Sequence, residues 1–236
     1  MILTFLKQYP FILAFIIGLI PALVWLWFWL KEDSHPEPAK MITLSFLGGM
    51  LAVVFVLPLQ KLVYDYIQNQ ETLSFILWAS IEEIFKFAFV YFIALRNKVT
   101  DEPVDNIIYL IVSALGFVTF ENTLFLIDPI KSGDVIGTII SSNMRFVGAS
   151  LLHVMSSATI GICMGLSFYK SPARKRESLI LGMILAITLH TAFNLFIISG
   201  VPGDMLPIFG MVWVGIITIL LLFEKVKTIK YNYESR

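Results

Sequence analysis

The chain of 236 residues contains seven apolar stretches, each long enough to cross a lipid bilayer as a helix. A hydrocarbon core about 30 Å thick needs roughly 20 apolar residues, because each helical residue advances the chain by about 1.5 Å. The stretches are Pro10–Leu30, Met41–Leu59, Thr72–Leu95, Ile107–Ile127, Gly148–Tyr169, Leu179–Ser199 and Met205–Phe223. They predict an all-α fold, a polytopic bundle of seven transmembrane helices.

The composition excludes an ordinary soluble domain. Hydrophobic residues make up 58% of the chain and charged residues 14%, whereas soluble globular chains contain about 25% charged residues. So few charges cannot cover a water-facing surface, and the excess apolar side chains must therefore face the lipid bilayer. The formal net charge is zero, which gives no basic field and excludes nucleic acid as a partner.

The polar segments between the stretches are short, and none has the composition of a second domain. We therefore predict a single integral-membrane domain over residues 1–236, with the helices that carry its candidate site between about residues 72 and 199. The segment Asp134–Arg145 is moderately amphipathic and predicts an interfacial helix before the fifth span. An eighth transmembrane helix in that segment is the alternative count.

Lysine and arginine are unequally distributed between the two sides of the predicted bundle. Seven spans place the termini on opposite sides, with twelve of these residues on the C-terminal side and four on the N-terminal side. The remaining one, Lys86, lies within a span. Because cytoplasmic loops are enriched in lysine and arginine, we predict an external N-terminus and a cytoplasmic C-terminus. The protein is predicted to be a multi-pass protein of the cell membrane.

Ionisable and amide side chains interrupt four of the apolar stretches. Each charge costs about 2.5–3.5 kcal/mol on insertion scales, so such groups must face the bundle interior or a hydrated cavity. Counted along their helices, Glu82, Glu121, His153 and His190 fall into one layer between the outer surface and the midplane. The full set of interrupting residues is Glu82, Glu83, Lys86, Glu121, Asn122, His153, His190 and Asn194. We therefore predict that four helices contribute to one site.

Helical spacing divides these residues further. Residues three or four positions apart share a helix face, so Lys86 can reach either Glu82 or Glu83. The two adjacent glutamates point about 100° apart on a helix and cannot have identical roles. Two other pairs are four positions apart, namely His190 with Asn194 and Phe117 with Glu121.

Carboxylates and imidazoles together are suited to general acid–base catalysis on water. In the predicted mechanism, Glu82 or Glu83 removes a proton from a water molecule that attacks a peptide carbonyl. His190 and Asn194 then donate hydrogen bonds to the developing oxyanion. The groups that position the water or protonate the leaving amine are Glu121 and His153.

Other membrane-protease chemistries lack their motifs in this chain. No His-Glu-x-x-His sequence occurs, so the usual ligand pair of a zinc metalloprotease is missing. No Gly-x-Ser-x-Gly or comparable serine motif lies in an apolar stretch. The residue types therefore favour a glutamate-activated water.

Four short motifs resemble the signature elements of the PrsW family, a group of glutamic-type intramembrane proteases. The family elements are Glu-Glu-x-x-Lys, Phe-x-x-x-Glu-Asn, an arginine eight residues before a histidine, and a histidine four residues before an aspartate or asparagine. The matching segments are Glu82–Lys86, Phe117–Asn122, Arg145 with His153, and His190 with Asn194. Each motif is short, and the resemblance depends on all four occurring in the expected order.

The resemblance implies kinship with the superfamily of prenyl-protein-processing and bacteriocin-immunity membrane proteases. By that analogy Glu82 is the water-activating base, and His190 and Asn194 are the oxyanion donors. Glu121 occupies the position at which the superfamily often has a histidine. In this respect the sequence departs from the superfamily pattern, in which that histidine is the second residue that contacts the catalytic water. The residues in supporting positions are Lys86, Asn122, Arg145 and Phe117.

The resemblance also implies a substrate class. The best-known PrsW protease makes the first cut in a membrane-anchored anti-sigma factor, on the extracytoplasmic side of the membrane. We therefore expect a membrane-anchored protein as the partner of this chain, with an anti-sigma factor as the candidate. We expect no cofactor, since the implied chemistry uses a glutamate and a water molecule.

Two alternatives stay open at this point. Glu121, His153 and His190 could hold zinc together with Glu82, which would make the chain a metal-dependent membrane protease. An ion-coupled transporter could use the Glu, Lys and His side chains as a proton relay, although we find no internal repeat of the kind that transporters often contain. A membrane sensor or scaffold, whose charged residues bind a partner helix, is a third class.

Overall fold

A computed structural model describes residues 9–67, 70–134, 137–138, 148–199 and 205–230. Within these ranges all regular structure is helical, which confirms the predicted all-α fold. The α-helices are α1 Pro10–Lys31, α2 Ala39–Tyr66, α3 Glu71–Val90, α4 Asp105–Ser132, α5 Ser150–Leu166, α6 Pro172–Ser199 and α7 Met205–Lys227. A π-helical turn, Tyr91–Leu95, directly continues α3.

The helix ends differ from the ends of the predicted apolar stretches. Helix α2 continues past Leu59 to Tyr66, and α6 begins at Pro172 rather than at Leu179. Hydropathy detects only the apolar part of a span, whereas a helix can extend into the polar layer and keep its backbone hydrogen bonds. Helix α5 is shorter than predicted and ends at Leu166, where the Ser167 hydroxyl donates to the Cys163 carbonyl oxygen at 3.2 Å.

Among the described residues, four helices are long and apolar enough to cross a membrane by length and composition alone. These are α1, α2, α4 and the Pro172–Phe196 part of α6, and α5 is a shorter apolar helix. After its exposed first residue, Glu71, helix α3 carries three formal charges, Glu82, Glu83 and Lys86, and these three are buried inside the bundle. The apolar helices support a multi-pass membrane protein.

Helix α4 runs through the middle of the bundle and packs against α1, α2 and α5. Its residues are buried almost without interruption from Asp105 to Thr119, as expected for a helix that is apolar on all sides. Two glycines permit the close crossing of α2 and α4. A Cβ atom on Gly49 would collide with the backbone of Ser113, and one on Gly116 would collide with the backbone of Phe46. Small residues allow membrane helices to approach this closely.

The helices alternate in direction, so two ends of the bundle can be distinguished. One side of the bundle contains the first residues of α1, α3 and α5 and the last residues of α2 and α4. We call this side the N-terminal end of the bundle. At the opposite end, the α1–α2 and α3–α4 connections meet the ends of α5 and α7, and we call this the C-terminal end. Each end contains a cavity.

The segment between α4 and α5 contains the predicted interfacial helix, Asp134–Arg145. Of this segment, the described residues are Asp134, Gly137 and Thr138, and the Gly137 N–H donates to Asp134 Oδ1 at 2.8 Å. The other residues, including Arg145, lie outside the described part of the chain. The interfacial helix and the eighth span therefore stay predictions.

Candidate active site

A cavity of about 660 Å³ lies at the N-terminal end, within the size range of small-ligand sites. Helices α2 to α6 form its walls, which are mostly aliphatic and aromatic. Its polar lining residues are Gln60, Glu82, Glu121, Asp128, His153, His190 and Asn194. The cavity therefore presents carboxylates, imidazoles and amides inside an apolar enclosure.

Glu83 has hydrogen-bond partners on both carboxylate oxygens. Its Oε1 accepts from Lys86 Nζ at 2.6 Å and from His190 Nδ1 at 2.8 Å, while its Oε2 accepts from the Ser157 hydroxyl at 3.2 Å. The side chain is fully buried and does not line the cavity. Glu83 is thus a fixed negative charge that orients an ammonium group and an imidazole ring.

Glu82, the adjacent residue, has a different environment. Its Oε1 accepts a hydrogen bond from Gln60 Nε2 at 2.7 Å. Its Oε2 is buried and accepts no hydrogen bond from any described residue. That oxygen lies 3.6 Å from His190 Nε2 and 3.9 Å from His153 Nδ1. Because Glu82 lines the cavity, one carboxylate oxygen is left for a reactant between two imidazole rings.

His153 connects the ion pair of α3 with α4. Lys86 Nζ lies 3.1 Å from His153 Nδ1, and an ammonium group can only donate, so Nδ1 is the acceptor. The other ring nitrogen, Nε2, then donates to Glu121 Oε2 at 3.2 Å. The Phe117 ring packs beside both groups, with its centroid 5.3 Å from the His153 centroid and 5.1 Å from Lys86 Nζ. The result is a continuous polar network that contains two carboxylates, a lysine and two histidines.

Most of the sequence-predicted site residues lie in this network or in the cavity wall. Asn194 lines the cavity one turn beyond His190, as their spacing indicates. Asn122 is buried but does not line the cavity, because it lies on the side of α4 that faces Gly18 of α1. Arg145 lies outside the described residues. The residues brought together around the cavity are Glu82, Glu83, Lys86, Phe117, Glu121, His153, His190 and Asn194.

Sequence reasoning missed three contributing residues. Gln60 and Trp78 are linked, since Trp78 Nε1 donates to the Gln60 carbonyl oxygen at 3.1 Å. Gln60 was overlooked because it directly follows the predicted second span, whereas α2 continues through it. Ser157, the partner of Glu83, lies four residues after His153 and therefore on the same helix face. That spacing is the signal that could have identified it.

The site can be tested for its fit to a metal ion. Glu82, His153 and His190 are buried, and each offers one ligand atom within 4.8 Å of the others. Two histidines and one carboxylate are a common ligand set of catalytic zinc, and the unpartnered Glu82 Oε2 agrees with such a role. The donor types fit zinc, but His153 already has Lys86 on one nitrogen and Glu121 on the other.

A membrane-embedded hydrolase is the class of protein that this bundle and its buried acid–base site define. A comparison with family models agrees, since the model of the PrsW family intramembrane metalloproteases matches residues 37–222. The chain belongs to the PrsW family and is a membrane-embedded peptidase. The matched region includes all four sequence motifs.

Several proteins named Protease PrsW are similar to the chain over most of its length. The protein from Halalkalibacterium halodurans is 29% identical over 185 residues, covering 75% of this chain and 80% of the relative. The protein from Bacillus subtilis is 29% identical over 213 residues, covering 83% and 88%. The protein from Oceanobacillus iheyensis is 29% identical over 208 residues, covering 84% and 89%. No solved structure shows significant similarity to the chain.

Proposed function

We propose that this peptidase hydrolyses its substrate with a water molecule activated by Glu82. The observation that supports this most directly is the contrast between the adjacent glutamates. Glu83 is satisfied on both oxygens, whereas Glu82 Oε2 is unpartnered among the described residues and faces two imidazoles. A general base must lie within hydrogen-bond reach of the proton that it removes, and Glu82, which lines the cavity, has one carboxylate oxygen that accepts no hydrogen bond from the described residues.

The reaction begins when Glu82 Oε2 takes a proton from water and the water oxygen attacks the peptide carbonyl carbon. His190 Nε2, in the imidazolium form, and the Asn194 amide then donate to the oxyanion. Collapse of the tetrahedral intermediate breaks the C–N bond, and the leaving amine takes a proton from Glu82 or through the pair of Glu121 and His153. The products are a carboxylate and an amine.

Glu83 and Lys86 have positioning roles in this mechanism. The carboxylate of Glu83 holds His190 by its Nδ1 and leaves its Nε2 directed toward Glu82. It also stabilises positive charge on the ring, as the buried aspartate does in a serine protease triad. Lys86 balances the charge of Glu83 and orients His153.

The proposed substrate is a membrane-anchored anti-sigma factor, an assignment that comes from the family resemblance. The proposed topology is seven spans in the cell membrane with an external N-terminus, based on twelve lysines and arginines on the C-terminal side of the predicted bundle against four on the N-terminal side. The N-terminal end of the bundle, where the catalytic cavity lies, then faces the extracytoplasmic side. Cleavage is accordingly expected in the outer half of the substrate's span.

A metal-dependent reaction is the second candidate, favoured by the Glu82, His153 and His190 cluster. Bound zinc would polarise the peptide carbonyl and make its water more acidic. The position of Lys86 opposes this candidate, because its ammonium group lies 3.1 Å from a nitrogen of His153. A cation at that nitrogen would meet electrostatic repulsion. We therefore propose that no cofactor takes part.

The test is cleavage of a purified single-span anti-sigma factor by the purified full-length chain in lipid vesicles. We expect product termini, mapped by mass spectrometry, in the extracytoplasmic half of the span. The rate should be unchanged after exhaustive dialysis against phenanthroline. Loss of activity that zinc restores would contradict the metal-free mechanism, and an anti-sigma factor that stays intact in these vesicles would contradict the substrate assignment.

Gln60 should act as a positioning residue for Glu82. Its amide holds Glu82 Oε1, so replacement by the similarly shaped methionine should let the carboxylate rotate. We expect Gln60→Met to lower kcat about tenfold, the usual effect of losing one hydrogen bond to a charged group. KM should stay unchanged, because Gln60 acts on the base and not on the bound peptide.

The matched control is Gln70→Met, which makes the same replacement at an exposed position before α3. It should leave kcat and KM unaltered. An increase in KM with an unaltered kcat for Gln60→Met would show that Gln60 binds substrate and would refute its role on Glu82. Thermal unfolding of both variants should match that of the natural chain.

A further inference from the structure

A second cavity, of about 300 Å³, lies at the C-terminal end of the bundle, opposite the catalytic site. Its wall combines residues of the α1–α2 and α3–α4 connections with the ends of α5 and α7. The acidic and basic side chains in this wall are those of Asp33, His35, Glu102, Lys227 and Lys230. None of them takes part in the proposed hydrolysis, so the cavity needs a separate explanation.

Asp33 is the buried acidic group of this cavity, with 7% of its surface exposed. Its Oδ1 accepts the backbone N–H of His35 at 3.0 Å, but its Oδ2 is buried and has no hydrogen-bond partner among the described residues. Burial raises the pKa of Asp33, as expected when a carboxylate lacks a compensating donor. A buried acceptor of this kind requires a partner, and the cavity beside it has room for one.

Cationic side chains complete the wall. Lys227 is anchored by Glu224 at 2.7 Å and lies 3.7 Å from Glu32. Lys230 is exposed and forms no ion pair with the described residues. The cavity wall thus contains both an acceptor for a donor group and cations for an anion.

The position of the cavity indicates where its ligand comes from. It lies at the end of the bundle that carries the polar connections between spans, including the cationic segment Lys170–Arg176. This end is therefore at the level of the lipid headgroups. Apolar residues, among them Val104, Val226 and Ile229, form the rest of the wall and suit the glycerol region of a lipid.

We propose that this cavity binds the headgroup of a zwitterionic aminophospholipid, phosphatidylethanolamine. Its primary ammonium group would donate to Asp33 Oδ2, and its phosphate would contact Lys227 and Lys230. Phosphatidylcholine has the same charges, but its quaternary ammonium has no N–H to donate. An anionic lipid without an amine would leave Asp33 unsatisfied and bring a second negative charge beside it.

The experiment reconstitutes the full-length chain in vesicles of equimolar dioleoyl phosphatidylethanolamine, phosphatidylcholine and phosphatidylglycerol. After extraction in mild detergent, mass spectrometry measures the lipids that stay bound to the protein. We expect phosphatidylethanolamine to be enriched about tenfold over phosphatidylcholine, the value of one hydrogen bond to a charged group. Asp33→Asn should abolish the enrichment, because a neutral amide in this place no longer attracts the ammonium group.

Asp33→Asn keeps an oxygen for the His35 N–H, so the connection should stay folded. The matched control, Asp101→Asn, removes a charge from an exposed residue at the same end that does not line the cavity, and it should leave the enrichment intact. Three results would refute the proposal. The two zwitterionic lipids could be retained equally, phosphatidylglycerol could be preferred, or the enrichment could persist in Asp33→Asn. The outcome is independent of proteolytic activity, since no protease assay is used.

Discussion

Glu82→Gln is expected to abolish proteolysis, with a loss of about 10³-fold or more in the rate of substrate cleavage. The substitution keeps the shape of the side chain and its contact with Gln60, but it removes the basic oxygen from the cavity. General base catalysis contributes about 10²–10⁴-fold in enzymes. The measurement is the initial rate at which a single-span substrate is cut by the purified variant in lipid vesicles.

Glu71→Gln supplies the matched control on the same helix. Glu71 lies in the first turn of α3 and is exposed, so its variant should cleave at the rate of the natural chain. A Glu82→Gln variant that retains most of its activity would show that another carboxylate, such as Glu121, activates the water. That result would end the proposed role of Glu82.

Lys86→Met should have the largest effect on stability. It leaves the fully buried Glu83 carboxylate without its ammonium partner, and removal of one member of a buried pair typically costs about 3–5 kcal/mol. The double variant Glu83→Gln with Lys86→Met should recover most of this loss, since both charges of the pair are removed together and His190 keeps the Glu82 carboxylate 3.6 Å from its Nε2. The measurement is the free energy of unfolding in a bilayer-like environment.

The control for charge removal is Lys98→Met, at an exposed position after the π-helical turn of α3. It should change the unfolding free energy little, as expected for a surface residue. If the single and double variants at the buried pair were equally unstable, the loss would reflect packing of the lysine stem. The interpretation of Glu83 and Lys86 as a charge-balanced pair would then be wrong.

The sequence was sufficient for the all-helical class and for the approximate place of each helix. Long apolar runs have few alternatives in a chain with so little charge. The ends of the helices were harder to predict from the sequence, because residues such as Gln60 and Lys61 are polar and yet continue α2. Hydropathy cannot distinguish a helix that extends beyond the apolar layer from a loop.

The candidate site was predictable as a set of residues but not as a network. The spacing of residues along α3 allowed Lys86 to pair with either Glu82 or Glu83. In the structure Lys86 pairs with Glu83, whose carboxylate also accepts hydrogen bonds from Ser157 of α5 and His190 of α6. Such contacts depend on how distant helices pack. Spacing within one helix could not distinguish them.

Asn122 also shows that the position of a residue in a motif does not predict which part of the structure its side chain contacts. It directly follows Glu121 in the motif, but a one-residue step turns a side chain about 100° around the helix. Glu121 faces the cavity, whereas Asn122 faces α1. A motif therefore groups residues that support different parts of a structure.

The wide sequence separation of the partners of Glu83 has a consequence for biogenesis. Ser157 follows Glu83 by 74 residues and His190 follows it by 107. At about 5–20 residues per second, a ribosome needs about 5–20 s to proceed from Glu83 to His190. During that interval the nascent third helix has a costly polar face without its final neighbours. The hydrogen bonds of Glu83 can therefore be completed only after His190 of α6 has been synthesised, which makes the order of synthesis part of how this site assembles.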